Sequence, residues 1–259
     1  MTLTQSSSLA QNEAQHGHNR AIPTALAAIQ KIVFLGDSIT EAGGERGGYV
    51  WFIGQYLQGL YPQHTWQLIN AGISGNTALK LRARFTSDVL AHHPQMVVIY
   101  VGVNDVWHRF YDFRLNRPVP TGDFPAGTTL ADYRAHLEYM ITTAQTVGIQ
   151  VLLLSPTPIR EMPHNPENQQ LQAYITAGQA LAQDHNTGWV NLYEPFITLI
   201  RTYQTIAGPN AHLLTTDGVH PNRAGHQVIA HAILQAWGVS AVTLQNHPVD
   251  CVGLCNFDV

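Results

Sequence analysis

The chain reads as an α/β protein with a parallel sheet held between helices, and three observations lead there. Apolar runs of strand length recur at 32–35, 66–70, 96–101, 151–154 and 189–192. Longer stretches with helical spacing of apolar residues separate them, at 49–60, 78–91, 130–147 and 168–184. The residues able to do chemistry follow the ends of the first three runs or precede the last helix. Strand alternating with helix argues for a parallel sheet, and such sheets place ligands at the carboxyl ends of their strands.

The first strand is the KIVFL run from Lys31 to Leu35, which leads into Gly36-Asp37-Ser38. Consecutive apolar residues suit a strand covered on both faces. Gly36 lets the backbone turn where a side chain would obstruct it. Pro94 is expected to end the helix over 78–91. Thr128 or Thr129 reads as the N-cap of the next helix, and Gly148, after Val147, as its C-terminal glycine. A last helix is expected over 222–237, with Val228, Ile229, Ile233 and Leu234 on its apolar positions. The loop over 107–128 is long and rich in Arg, Phe, Tyr, Pro and Gly. Loops of that length in compact domains are often functional, so it is a candidate pocket wall.

Composition narrows the function. Of 259 residues, 45% are hydrophobic, ordinary for a globular protein, and 12% are charged, half the usual share of roughly 25%. Lys+Arg number 13 against 17 Asp+Glu, a net charge of −4. No basic footprint for nucleic acid or polybasic membrane patch is present, so a neutral or small polar substrate fits better. No G-x-G-x-x-G or P-loop follows the first strand, which argues against a nucleotide site. Residues 1–30 are expected to form a polar, mobile segment, 31–240 a single domain and 241–259 a tail. No secretory signal or apolar run of about 18 residues is visible, so a cytoplasmic protein with no membrane span is expected. Cys251 and Cys255, with His247, are too few ligands for a credible metal site. They read as two ordinary thiols or one local disulfide.

Acyl transfer requires particular residues at the strand ends. A serine hydroxyl is a weak nucleophile until a base takes its proton, and the base needs an acid to orient it. Ser38 is the candidate nucleophile, and Asp217 and His220 sit three apart around a glycine in DGVH. Donors for the developing oxyanion are the Ser38 and Gly75 backbone N–H groups and the Asn104 side-chain amide. Asp37 is expected to organise the turn, Asp105 to make structural hydrogen bonds, and Gly72 to be structural. His92 and His93 fit a helix end, and His226 and His231, five apart, make a poor metal pair.

In these four blocks the sequence resembles the SGNH hydrolases, or GDSL-type esterases and lipases. They are GDSI with Ser38, NAGISG with Gly75, GVND with Asn104, and DGVH with Asp217 and His220. Ile39 in place of leucine is the one departure. The resemblance implies a flavodoxin-like three-layer α/β/α sandwich with a five-stranded parallel sheet. It also implies ester hydrolysis through an acyl-serine intermediate, with no metal or organic cofactor. Family members act on acetylated carbohydrates, short-chain esters, thioesters and lysophospholipids.

No long apolar insertion resembles a lipase lid, which favours short acyl groups such as acetyl on a carbohydrate or small alcohol. Trp107 and Phe110, with Tyr111 and Phe113, are candidates for substrate contact, or else close a small core under their loop. Arg160 could bind a carboxylate or phosphate, or form a surface salt bridge. An acyltransferase, lysophospholipase or thioesterase would use the same residues, and a non-catalytic binding relative is the remaining alternative.

Overall fold

Every residue of the MVVIY run at 96–100 is buried, as are all but the first of KIVFLG at 31–36. These two strands form the middle of the sheet. The computed structural model describes residues 20–249, so Cys251, Cys255 and the first nineteen residues lie outside the described part. Apart from a two-stranded antiparallel ribbon of Tyr111–Asp112 and Arg117–Pro118, the strands are β1 (Lys31–Gly36), β2 (Gln67–Gly72), β3 (Met96–Tyr100), β4 (Gln150–Leu154) and β5 (Gly188–Val190). All pair in parallel, in the order β2-β1-β3-β4-β5. This is the flavodoxin-like order that the resemblance implied.

The register sets up the site. Gly36 lies opposite both Gly72 and Tyr100, and Tyr100 opposite Leu154. Leu154 in turn lies opposite Val190, so all five strands end level and the loops after them share one edge. The carbons of Gly36 and Gly72 pack against α1 (Ser38–Gly43). A Cβ on Gly36 would fall 2.0 Å from Thr40 Oγ1, and one on Gly72 2.0 Å from the Glu41 backbone nitrogen.

The remaining helices are α2 (Tyr49–Leu60), α3 (Ala78–Ala83), α4 (Phe85–Asp88), α5 (Val103–Trp107), α6 (Leu130–Thr146), α7 (Pro166–Asp184), α8 (Tyr193–Ala207), α9 (Arg223–Ala236) and α10 (Ala241–Asn246). One layer packs α2 against α9; in the other, α6 lies against both α3 and α7. Thr129 caps α6 by accepting a hydrogen bond from the Asp132 N–H, and Gly148 follows in the left-handed region at φ 76°.

Two differences from the sequence reading have physical causes. The stretch 78–91 is not one helix: it breaks at Arg84 (φ −109°, ψ 9°), whose side chain folds back to the sheet edge. It ends at His93, left-handed at φ 48°, one residue before Pro94. Helix α8 was not anticipated, because its N-cap residue is Leu192, with no capping side chain. The first-turn N–H groups are met by Asn191, whose Oδ1 accepts from the Glu194 N–H at 3.2 Å, and by Ser155 after β4, whose Oγ accepts from the Leu192 and Tyr193 N–H groups at 2.8 and 3.1 Å.

The core also reaches past 31–240. Leu26, Ile29 and Leu244 are buried with it, Leu244 on α10. Among the described residues no helix is long and apolar enough to cross a membrane.

Candidate active site

Ser38 is the first residue of α1, and the helix is capped by its neighbour. Asp37 Oδ1 accepts from the Ile39 N–H at 3.0 Å. Asp37 thus organises the turn, and Ser38 is left with its hydroxyl free of capping duty. Ser38 Oγ lies 2.9 Å from His220 Nε2, and His220 Nδ1 lies 2.7 Å from Asp217 Oδ2. These residues are 182 positions apart in the chain, and the sheet edge brings them together.

The DGVH turn is a self-contained holder. Asp217 Oδ1 accepts from the Val219 and His220 N–H groups at 2.9 and 2.8 Å, while Oδ2 remains for the imidazole. Gly218 has φ 93°, where L side chains are strained. Burial pushes the Asp217 carboxyl up, but the His220 side chain and the two backbone N–H groups outweigh it and hold the pKa below its ordinary value. The carboxylate therefore stays ionised and fixes the Nδ1–H tautomer, leaving Nε2 to face Ser38 as an acceptor.

Opposite this chain lie the loops after β2 and β3. Gly75 adopts φ 70°, with open space where a Cβ would be. Asn104 is buried; its Nδ2 donates to the Asn76 carbonyl at 3.0 Å and makes a long 3.4 Å contact with Asp37 Oδ2. One amide proton is thus committed to the loop, and the other is weakly held. Asp105 accepts the Ala78 N–H at 3.0 and 3.2 Å, the structural role expected of it. Burial pushes Asp105 up to about 6. It pushes Asp37 up to about 7, against the Ile39 N–H, with Asp105 adding repulsion.

The nominated substrate contacts fare differently. Phe110 is a buried core residue, with its ring beneath Gly122, so it closes the loop from below and offers no open face. Trp107 is half-buried, edge-on to Phe113 with centroids 5.3 Å apart. Arg160 pairs with Glu167 at 3.5 Å, and its backbone N–H donates to the Gly218 carbonyl. It braces the DGVH turn from behind.

Sequence reasoning missed the residues that hold these loops. Glu161 is buried and accepts from the Leu213 and Leu214 N–H groups and the Thr215 hydroxyl at 2.7–2.8 Å. Thr215 Oγ1 in turn accepts from the Gly218 N–H at 3.1 Å. Arg84 donates to the Gly36 carbonyl at 2.8 Å, to Asn76 Oδ1 at 2.9 Å and to Asp88 at 2.6 Å. Asn70 joins β2 to α1 by donating to the Thr40 carbonyl at 2.6 Å. Glu161 follows the fourth strand on the same sheet edge, a signal that was available. A lone arginine inside an apparent helix carried none.

Residues 34–228 match the GDSL-like Lipase/Acylhydrolase family. An acetylxylan esterase of Geobacillus stearothermophilus is 30% identical over 220 residues, 81% of this chain and 94% of that one. Esterase TesA of Pseudomonas aeruginosa is 25% identical over 198 residues, 76% of this chain and 83% of its own. Among solved structures, the acetyl xylan esterase AlAXEase superposes with a TM-score of 0.69 at 32% identity, covering 80% of this chain and 98% of that one. The chain belongs to the GDSL-like lipase/acylhydrolase family of SGNH hydrolases and is a carboxylic ester hydrolase.

Proposed function

We propose that the chain is a serine esterase that removes acetyl and other short acyl groups from hydroxyls of carbohydrates. The observation that carries this is the unbroken chain Ser38 Oγ, His220, Asp217 at 2.9 and 2.7 Å. In this reading His220 Nε2 takes the Ser38 proton as Oγ bonds to the ester carbonyl carbon. The carbonyl oxygen becomes an anion facing the Ser38 and Gly75 N–H groups and the Asn104 amide. His220 then gives its proton to the leaving alcohol oxygen as that C–O bond breaks. Water repeats the sequence on the acyl-serine and frees the acid. Asp217 orients the imidazole and stabilises its charged form.

Carbohydrate acetates are favoured because both acetylxylan esterase relatives cover most of the chain. Hydrolysis is favoured over acyl transfer because the His220 and Asp217 side chains are 39% and 53% exposed, which leaves water ready access. Trp107 remains the candidate wall for the sugar.

The test is hydrolysis of p-nitrophenyl acetate and of acetylated xylo-oligosaccharides by wild type and Ser38→Ala. We expect loss of about three orders of magnitude or more in kcat with an intact fold. Retention of most activity in Ser38→Ala would overturn the assignment.

A further inference from the structure

The Gly36 carbonyl, at the end of β1 and two residues ahead of Ser38, accepts two hydrogen bonds. One comes from the Ile73 N–H at 3.1 Å, where the loop after β2 begins. The other comes from the Arg84 guanidinium at 2.8 Å. Arg84 Nε donates in turn to Asn76 Oδ1 at 2.9 Å, so the same group grips the residue after Gly75. The segment from Ile73 to Asn76 is thereby closed into a ring, tied at both ends to one carbonyl. Arg84 is the tie at its far end, and no step above uses it.

The groups around Gly75 are otherwise committed. Asn76 accepts from Asn104 Nδ2 on its carbonyl at 3.0 Å and donates its N–H to the Ile73 carbonyl at 3.2 Å. The Ser74 N–H donates to Glu41 Oε2, and the Gly75 carbonyl accepts from Lys80 Nζ, both at 2.9 Å. Of the N–H groups at 74–76, only that of Gly75 has no partner among the described residues. Asn76 is thus the joint of the loop: its backbone sets the Gly75 peptide and the Asn104 amide, and its side chain is held by Arg84.

Arg84 is itself well anchored. Its side chain is 14% exposed, and Nη1 lies 2.6 Å from Asp88 Oδ2. Burial pushes the Asp88 carboxyl up, but the Ser87 hydroxyl and Arg84 outweigh it and hold the pKa below its ordinary value, so the pair stays charged. A planar fork suits three acceptors in fixed directions, where an ammonium would be a single point charge.

We propose that Arg84 is a positioning residue for the oxyanion site, locking Asn76, and through it the Gly75 N–H and the Asn104 amide, to the strand that carries Ser38. The role rests on the oxyanion reading above. Such donors act only when aimed where charge develops, and a misplacement of about 1 Å costs about a hundredfold. The ester carbonyl carries little charge in the ground state, so the loss falls on kcat rather than KM.

The experiment measures p-nitrophenyl acetate hydrolysis at matched folded concentration by wild type, Arg84→Met, Asn76→Ala, the double variant and Asn104→Ala. Asn76→Ala removes only the acceptor and leaves Arg84 its bonds to Gly36 and Asp88, so it decides the matter even where Arg84→Met does not fold. Each single change is expected to lower kcat about ten- to a hundredfold with KM within about twofold. The double variant should fall little further than either single one, because both cut the same link. Inhibition by phenylboronic acid, which forms a tetrahedral adduct on Ser38, should weaken by about the same factor as kcat. A lower Tm with kcat and boronate inhibition intact in both single variants would make Arg84 a merely structural tie and overturn the proposal. So would additive losses in the double variant, or a loss confined to KM. An unchanged kcat in Asn104→Ala would bring down the oxyanion reading itself; a loss there, with Arg84→Met and Asn76→Ala unaffected, would bring down only the role of Arg84.

Discussion

At the scale of single residues, the chemistry depends on which atoms face each other. His220 shares one nitrogen with Ser38 and the other with Asp217, so removing the carboxylate should turn the imidazole into the wrong tautomer. Asp217→Asn is expected to lower kcat at least about a hundredfold with KM little changed, read from steady-state kinetics. Asn104→Ala removes one oxyanion donor and should cost about 10²–10³ in kcat. His226 gives a pH prediction. Its folded pKa of about 4 lies below its ordinary 6.5, so the unfolded chain binds the proton first. Stability from keeping it neutral is fully present above the ordinary value and is lost as pH falls toward 4. With 1.5 units of that window traversed by pH 5, the loss is about 2 kcal/mol. Melting curves should show a smaller drop between pH 7 and 5 in His226→Gln than in wild type, whatever the absolute Tm. An equal drop would show that another group sets the slope. The residues that the structure brings together, Ser38, His220 and Asp217, were legible because each proposed role demands a residue type and sits in a short motif. Phe110 was not, since an aromatic beside an active loop looks the same in sequence whether it points into the core or out of it.

At the scale of elements, the loops after the strands are held by buried polar groups drawn from distant positions. Glu161 is 1% exposed and satisfies three donors of 213–215. Glu161→Gln replaces an acceptor with a donor at one of them, which should cost about 1–3 kcal/mol of stability. It should also lower kcat about tenfold by loosening the DGVH turn, with KM within about twofold, because a misplaced base costs rate more than ground-state binding. Rescue of kcat by Glu161→Asp would be inconsistent with this, since the shorter side chain cannot span the same three donors. Element boundaries were legible where the signal was local, as in the Thr129 cap of α6 and the left-handed Gly148 after it. They were illegible where the signal came from elsewhere. The Leu192 and Tyr193 N–H groups at the start of helix α8 go to Ser155, 37 residues upstream of Leu192, beside a local Asn191 cap on the Glu194 N–H, and at the break the Arg84 guanidinium reaches the Gly36 carbonyl.

For the whole molecule, the sheet is the device that makes four short motifs into one site. Because β1, β2 and β3 end level, Ser38, Gly75 and Asn104 come from adjacent loops, and the turn before α9 brings His220 to them. The α/β class and parallel pairing were legible from the alternation of strand and helix. The strand order came only through the family resemblance, since periodicity says which face a strand buries and not which neighbour it takes. Close contact of the sheet edge with α1 depends on small residues. Gly72→Ala would put a carbon 2.0 Å from the Glu41 backbone nitrogen; overpacking against backbone should cost about 1–3 kcal/mol, seen as a lower Tm. The central claim is that these loops form one serine hydrolase site. The measurement that bears on it most directly is release of acetate from an acetylated xylo-oligosaccharide by wild type and Ser38→Ala at matched folded concentration. Acetate release that vanishes with the hydroxyl, in a variant with an unchanged melting curve, is the result this geometry predicts. Equal release from both proteins would contradict it.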